Sequence, residues 1–345
     1  MKSYVYSGKG DLRVKDVPEP AHPEKGALAK VLYASICGTD LRTYRFGSDH
    51  IKPPRIIGHE AVYQLEWVSN DLPGEYRPGE KVLVAPAIGC GHCKSCLQGK
   101  TNQCESLQTI GFEYDGSFSE YMVIPEQAFL MGNVIKIEDP EIKPAYSVVE
   151  PVACAINGQD FLNISPGENV LIFGAGFLGC IHSELALAKG VDHVILAEVS
   201  ERKQNLAKEA LPSISVIDSN APNLNMLIDE ITDGAGVDVV ITACPAGVTH
   251  RLALELVNKG GRISLFGGLP GKSEGFLDSN LIHYKELGVF GVHGSSPTHN
   301  RRALRYVLDG KVDPSKYLSL YPFAEIDEAF EALINGDAVK AVLKI

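Results

Sequence analysis

Cys90, Cys93, Cys96 and Cys104 lie in one short run with the spacing C-x2-C-x2-C-x7-C. Four thiolates so close along a chain can share one ion, and zinc takes four such ligands tetrahedrally at about 2.3 Å each. A closed shell of this kind staples a loop and leaves no position for a reactant. The run therefore predicts a metal-bearing lobe over about residues 88–106, standing on a larger framework. Disulfide pairing is the competing use of these residues. The chain has eight cysteines, and its start, Met1-Lys2-Ser3-Tyr4-Val5-Tyr6, lacks the apolar core of an export signal. Reduced thiols in a cytoplasmic protein are the expectation.

At 345 residues the chain is too long for one ordinary core, so two domains are expected. The longest apolar segment, Val170 to Ala188, is interrupted by glycines, His182 and Glu184 and does not read as a membrane span. The net charge of −11 and the lack of a basic block argue against nucleic acid as a partner. No internal repeat and no low-complexity segment stands out.

The first ~130 residues read as β structure. Tyr4–Ser7, Leu12–Val17, Leu28–Ile36 and Lys81–Ala85 are short β-rich runs separated by Gly and Pro, with little helical signal. The pattern changes near Pro140–Pro151. Beyond Asn169, strand-like Val170–Phe173, His193–Ala197, Val237–Thr242 and Arg262–Phe266 alternate with helix-like Phe177–Lys189 and Glu201–Ala210. Such alternation predicts a doubly wound parallel sheet with helices on both faces, an α/β Rossmann arrangement. A further helix over Glu325–Asn335 and a last strand over Ala341–Ile345 close the chain.

Gly174-Ala175-Gly176-Phe177-Leu178-Gly179 is a G-x-G-x-x-G sequence between a predicted strand and a predicted helix, the context in which that motif binds a dinucleotide. Gly174 makes the turn, Gly176 lets backbone approach a pyrophosphate, and Gly179 lets helix and strand pack closely. The helix start at Phe177 and Leu178 then offers free N–H groups to the anion. Glu198, at the end of the next strand, is placed to accept the ribose hydroxyls of NAD and to repel the extra phosphate of NADP. Arg202 and Lys203 soften that repulsion. NAD is therefore expected over NADP.

Cys37-Gly38-Thr39-Asp40 follows a strand, Gly58-His59-Glu60 lies downstream, and Glu150-Pro151 comes later. A thiolate, an imidazole and a carboxylate can hold zinc and leave one position open. Each residue alone has an ordinary structural explanation; together they suggest a reactive metal.

This ordered set is similar to one found in the zinc-dependent medium-chain dehydrogenases of the alcohol dehydrogenase superfamily. It comprises Cys37-Gly-Thr-Asp40, Gly58-His59-Glu60, the four-cysteine lobe, Gly111–Gly116–Ser117–Phe118–Glu120–Tyr121, Glu150-Pro151 and Gly174–Gly179. The chain most resembles the polyol (sorbitol) and threonine branch, and His283-Tyr284-Lys285-Glu286-Leu287 is similar to a stretch of sugar-alcohol members. The resemblance implies a GroES-like β-rich catalytic domain over 1–147 and 297–345, with the chain's tail returning to it, and a Rossmann domain over 148–296. It implies two zinc ions, a small alcohol as substrate and a homo-oligomer, dimer or tetramer. Cys37 and His59 become ligands of a catalytic zinc, with either Glu60 or Glu150 as the third. Thr39 becomes the hydroxyl that carries the substrate's proton away, and Asp40 orients the metal site. The implied reaction moves a hydride from a secondary alcohol, on a polyol or sugar derivative with or without phosphate, to NAD. Threonine, a short diol or an aldose on the same machinery are the alternatives. A zinc-free reductase and a nucleotide-binding protein without turnover are more distant ones.

Two departures stand out. Glu60 is followed by Ala61-Val62-Tyr63 where relatives carry a glycine three residues on. Arg42 stands where many relatives have a proton-relaying histidine. A surface salt bridge is the plain expectation for Arg42; pairing with an anionic part of the substrate is the other.

Overall fold

The computed structural model describes residues 1–73, 75–269 and 277–345. The chain divides into two compact units: Met1–Ala153 with Gly294–Leu308 and Tyr317–Ile345, and Cys154–His293 with Asp309–Lys316. The expected break at 147/148 comes early, because the division falls inside the helix Val149–Asp160. Residues 309–316, assigned from sequence to the first domain, group with the second unit.

The first unit is built on a seven-stranded sheet. Along its main path the order is Val134–Lys136, Lys81–Val84, Glu60–Val68, Ala27–Ser35, Lys340–Lys344 and Leu318–Pro322, with Tyr121–Ile124 also paired to Ala27–Ser35. Register is what matters for chemistry here. Ser35 faces Glu60 across one antiparallel ladder and Val342 across the other. The chain's final strand thus lies against Ala27–Ser35, within the first unit. A core of apolar side chains, among them Val31, Tyr63, Leu65, Phe118, Ile124 and Phe330, fills this unit. A short ladder of Ala87–Ile88 with Gln108–Thr109 closes the base of the cysteine lobe.

Helix is more frequent in this half than the sequence suggested. Gly38–Phe46 is helical, with Cys37 as its N-cap and the Asp40 carboxylate accepting the Cys37 N–H at 2.9 Å. A local cap of this kind starts a helix where amphipathic periodicity is weak.

The second unit carries a six-stranded, wholly parallel sheet in the order Ser215–Asp218, His193–Glu198, Asn169–Phe173, Val237–Thr242, Val257–Leu265 and Gly288–Gly291. Asn169–Phe173 is the first strand in sequence and has later strands on both sides, so the winding reverses at its carboxyl end. Ligands of such sheets bind at that point. The His283–Leu287 stretch has a structural use. Lys285 Nζ donates to the carbonyls of Leu254, Glu255 and Val257 at 2.7–3.0 Å, capping the helix Gly247–Leu256, and Leu287 is buried. Among the described residues no helix is long and apolar enough to cross a membrane.

Candidate metal and dinucleotide sites

Two clusters of side chains in the first unit are arranged to hold a cation. In the lobe, the four sulfurs of Cys90, Cys93, Cys96 and Cys104 all lie within 4.8 Å of one another. Cys90 and Cys96 are 4.0 Å apart, and Cys93 and Cys104 3.8 Å, so none is in a disulfide. Backbone N–H groups of Cys90 and Ser106 point at Cys104 Sγ, and that of Cys93 at Cys90 Sγ, at 3.2–3.4 Å. N–H groups aimed at sulfur favour thiolate, and Cys93 is drawn down to about 6 by such bonds. Burial instead pushes Cys96 up to about 12. Two half-buried thiols and two buried ones, with backbone donors already aimed at them, fit a closed tetrathiolate site.

The second cluster joins Cys37, His59 and Glu60, whose ligand atoms also lie within 4.8 Å of one another. The strand register explains the convergence. Cys37 leaves the end of Ala27–Ser35 as a helix cap, and His59-Glu60 enters the neighbouring strand. Gly58 takes φ +96 to make that entry, and Gly116 packs directly on it. A Cβ on Gly116 would fall 2.2 Å from the Gly58 carbonyl oxygen. The bonds Ser117 N–H to Gly58 O at 3.0 Å and Phe118 N–H to Ile57 O at 3.0 Å complete the clamp. The Gly111–Tyr121 segment therefore buttresses His59, and its Phe112 ring stands edge-on to the imidazole at 5.9 Å between centroids.

Glu60 is completely buried. Its Oε2 accepts from Ser35 Oγ and from Lys340 Nζ, and Lys340 also donates to the Ile36 carbonyl at 2.9 Å. Burial pulls the Lys340 ammonium down, but Glu60, Cys37 and Asp40 together outweigh it and carry its pKa above the ordinary lysine value. Asp40, also buried, has its carboxyl raised by burial against the opposing pull of His59. Burial alone depresses the His59 imidazole; Asp40 and Cys37, with Glu150 further out, overcome it and take it well above the usual histidine range. A metal arriving here displaces that proton.

Two atoms of this cluster test the fit of a cation. Glu60 Oε1 and His59 Nδ1 are both buried with no hydrogen-bond partner. His59 Nδ1 is 3.8 Å from Asp40 Oδ1, too far for a bond. Buried polar atoms are almost always paired, and a ligand sought by a thiol, an imidazole and a carboxylate is a divalent ion of zinc's type. Glu150 lies outside this set. It sits in the first turn of Val149–Asp160 and lines a small cleft with Ala61, Val84, Ser147 and Asn300, close enough for its charge to act on His59. Thr39 is half-buried, and Arg42 Nη2 approaches its hydroxyl at 3.5 Å. The salt bridge expected of Arg42 does not form among the described residues.

In the second unit the glycine loop follows Asn169–Phe173 and opens the helix Phe177–Leu187. A Cβ on Gly179 would meet the Gly174 carbonyl oxygen at 1.7 Å, whereas one on Gly176 would meet nothing within 4 Å. The first is a helix-to-strand contact; the second is a surface left open for a phosphate. Phe177 is buried and Leu178 half-buried behind it. Glu198 is nearly buried at the end of its strand. Its Oε2 accepts from Ala175 N–H at 2.8 Å, and its Oε1 from Val199 and Ser200 N–H at 3.0 Å. The carboxylate thus ties the glycine loop to the next turn; Oε1 is filled by two donors and Oε2 keeps one lone pair. Arg202 is exposed in the first turn of Glu201–Ala210.

Residues 23–137 match the alcohol dehydrogenase GroES-like domain and residues 178–309 the zinc-binding dehydrogenase domain. L-threonine 3-dehydrogenase of Pyrococcus furiosus is 35% identical over 340 residues, covering 96% of this chain and 93% of that protein. The chain belongs to the zinc-dependent medium-chain alcohol dehydrogenase superfamily. It is a zinc-binding dehydrogenase with a GroES-like domain and a Rossmann-like parallel sheet. A zinc-binding dehydrogenase of Sinorhizobium meliloti solved with NADP matches it at TM-score 0.90 with 27% identity, covering 100% of this chain and 99% of the other. An alcohol dehydrogenase of E. coli CFT073 complexed with NADH matches at TM-score 0.89, also at 27% identity and over the same shares.

For this dehydrogenase, sequence reading missed Ser35 and Lys340. Neither sits in a motif. The one available signal was a lysine opening the apolar run Lys340-Ala341-Val342-Leu343, where an unpaired charge is not tolerated.

Proposed function

We propose that this dehydrogenase oxidises a secondary alcohol flanked by polar groups, with NAD as the preferred hydride acceptor. The observation that carries the reading is the convergence of Cys37, His59 and Glu60, whose ligand atoms lie within 4.8 Å of one another, with Glu60 Oε1 buried and without a hydrogen-bond partner. Cys37, His59 and Glu60 hold one zinc, with Glu150 acting on the site from outside, and the cysteine lobe holds a second. When bound, zinc supplies Lewis acidity to a substrate hydroxyl, and the nicotinamide ring takes up the hydride. Thr39 Oγ1 receives the hydroxyl proton and passes it outward. Asp40 and Lys340 fix the imidazole and the carboxylate. Gly176 and the helix start beyond it cradle the pyrophosphate, and Glu198 offers the free lone pair of Oε2 to a ribose hydroxyl, where a 2′-phosphate would meet its charge.

Two substrate classes fit. Polyols are favoured by the Gly58-His59-Glu60 and Glu150-Pro151 pair. L-threonine is favoured by the whole-length similarity to the Pyrococcus furiosus enzyme. A panel of polyols, polyol phosphates and L-threonine, assayed with NAD and NADP by absorbance of the reduced cofactor, tests both. Turnover of a secondary alcohol with higher kcat/KM for NAD is expected. If ethanol outruns every secondary alcohol, or NADP outruns NAD, the corresponding half of the reading is wrong.

A further inference from the structure

The protein carries 43 acidic against 32 basic residues, yet the segment between the two ligands Cys37 and His59 reverses that balance. It holds Arg42, Arg45, Lys52 and Arg55 against Asp40 and Asp49. Asp40 is buried against His59 and Cys37, and Arg55 is paired with Asp115 at 2.9 Å. Arg42, Arg45 and Lys52 are exposed and form no ion pair among the described residues. A surface with an excess of carboxylates ordinarily supplies partners for its arginines. Here three cations go without, on the stretch that links the ligands.

The geometry of Arg42 is more specific. It lies three residues beyond Thr39 on the helix Gly38–Phe46, so the two share a face. Its Nη2 turns back to 3.5 Å from Thr39 Oγ1, toward the end of the helix capped by Cys37. One turn behind, Arg45 lies 5.4 Å over the ring of the exposed Phe46, which restrains it. A guanidinium held this way keeps most of its donors free, in a fork that matches a planar oxyanion.

We propose that Arg42, with Arg45 behind it, forms an anion subsite beside Thr39 that takes the carboxylate or phosphate of the substrate. The inference deepens the dehydrogenase reading and rests on it. It makes the substrate an anionic secondary alcohol, a hydroxy acid or a phosphorylated polyol. The guanidinium recognises the charged group while the hydroxyl to be oxidised reaches the metal. The planar guanidinium contributes charge and orientation.

The test uses the zinc-loaded full chain and two independent readouts. Calorimetry with inorganic phosphate and, separately, with L-threonine is run on the unmodified protein, Arg42→Met and Arg42→Lys. At least one of the two anions should bind the unmodified protein at least tenfold more tightly than Arg42→Met, with Arg42→Lys between them; the one that does so names the source. Turnover is then compared for matched pairs, L-threonine against 1-amino-2-propanol and a polyol phosphate against its polyol. Arg42→Met should raise KM for the member that carries the carboxylate or phosphate more than tenfold, leave kcat within about twofold, and leave KM for the member that lacks it and for NAD unchanged. Binding of neither anion, equal binding by Arg42→Met, or a rise confined to the KM for NAD overturns the subsite. Anion binding that depends on Arg42 without oxidation of any secondary alcohol supports the subsite and defeats the proposed secondary-alcohol reaction instead.

Discussion

The two metal clusters of the first unit use similar chemistry and are built in opposite ways. The cysteine lobe draws all its ligands from one loop, its sulfurs are met by backbone N–H groups of the same loop, and its base is closed by a two-stranded ladder. The Cys37–His59–Glu60 cluster draws on a helix cap and a strand entry, and it is braced by Lys340 from the far end of the chain. The lobe stands at the surface, and its exposed Leu97 marks how little of it belongs to the core. The other cluster sits among the buried charges of Asp40, Glu60 and Lys340. A loop site is stabilised by its ion; a core site is stabilised by its surroundings before any ion arrives. The proposed function accordingly makes the first depend on metal for its fold and the second for its activity.

That contrast is broken most directly at the lobe. Cys93→Ser opens the closed shell, and loss of a structural metal belongs to the changes that cost more than about 4 kcal/mol. Urea unfolding and zinc content per chain should show a large drop in stability and one ion instead of two. A variant of near-native stability would mean that the lobe folds without its ion.

Removing the brace of the core site comes next. Lys340→Met leaves the Glu60 carboxylate buried without its cation, which typically costs about 3–5 kcal/mol in the metal-free protein. The double change Lys340→Met with Glu60→Gln removes both charges and should recover much of it, the signature of coupling between the two sites. Strict additivity in a double-mutant cycle would show that the pair is incidental.

The ligand set is sharpened by comparing the two acids. Glu150→Gln should weaken zinc by roughly 10–100-fold, as loss of a group outside the ligand shell does, and Glu60→Gln by more. Competition with a chromogenic chelator ranks them. The reverse order transfers the ligand role to Glu150.

The smallest effect concerns a buried ionisable group that has no opposite charge. His182 is completely buried and meets Gln159 at 3.3 Å and the Phe266 ring at 4.5 Å. Burial lowers its pKa from 6.5 to about 3. The folded imidazole stays neutral while the unfolded one takes up a proton below 6.5. Its stabilising contribution is thus full above that value and is lost as pH falls toward 3, at up to about 1.4 kcal/mol per pH unit. Urea unfolding of His182→Leu at pH 6.5 and 4.5 should show a shallower decline than the unmodified protein. An unchanged slope would assign the acid sensitivity elsewhere.

What was legible in the chain follows the same division. The cysteine lobe, the glycine loop and the alternating strands of the second unit are local patterns, and each is found at its expected place. The helix Gly38–Phe46 was not anticipated, because its start rests on a single cap bond between Cys37 and Asp40 and its residues carry little amphipathic periodicity. His283–Leu287 resembled a substrate-branch motif, yet it caps a helix and fills a core, uses that short-range spacing does not reveal.

By itself, then, the sequence determined every feature whose partners lie within a few residues: thiolate spacing, glycine positions, strand period and the excess of cations between Cys37 and His59. Only the tertiary structure decided which acid stands with Cys37 and His59 and what holds it there. Ser35 meets Glu60 because two antiparallel strands pair in one register, and Lys340 reaches Glu60 and the Ile36 carbonyl because the final strand adds on the other side. Register is settled by burial across the whole sheet, where a one-residue slip would turn every side chain to the opposite face. No local run of residues contains that information.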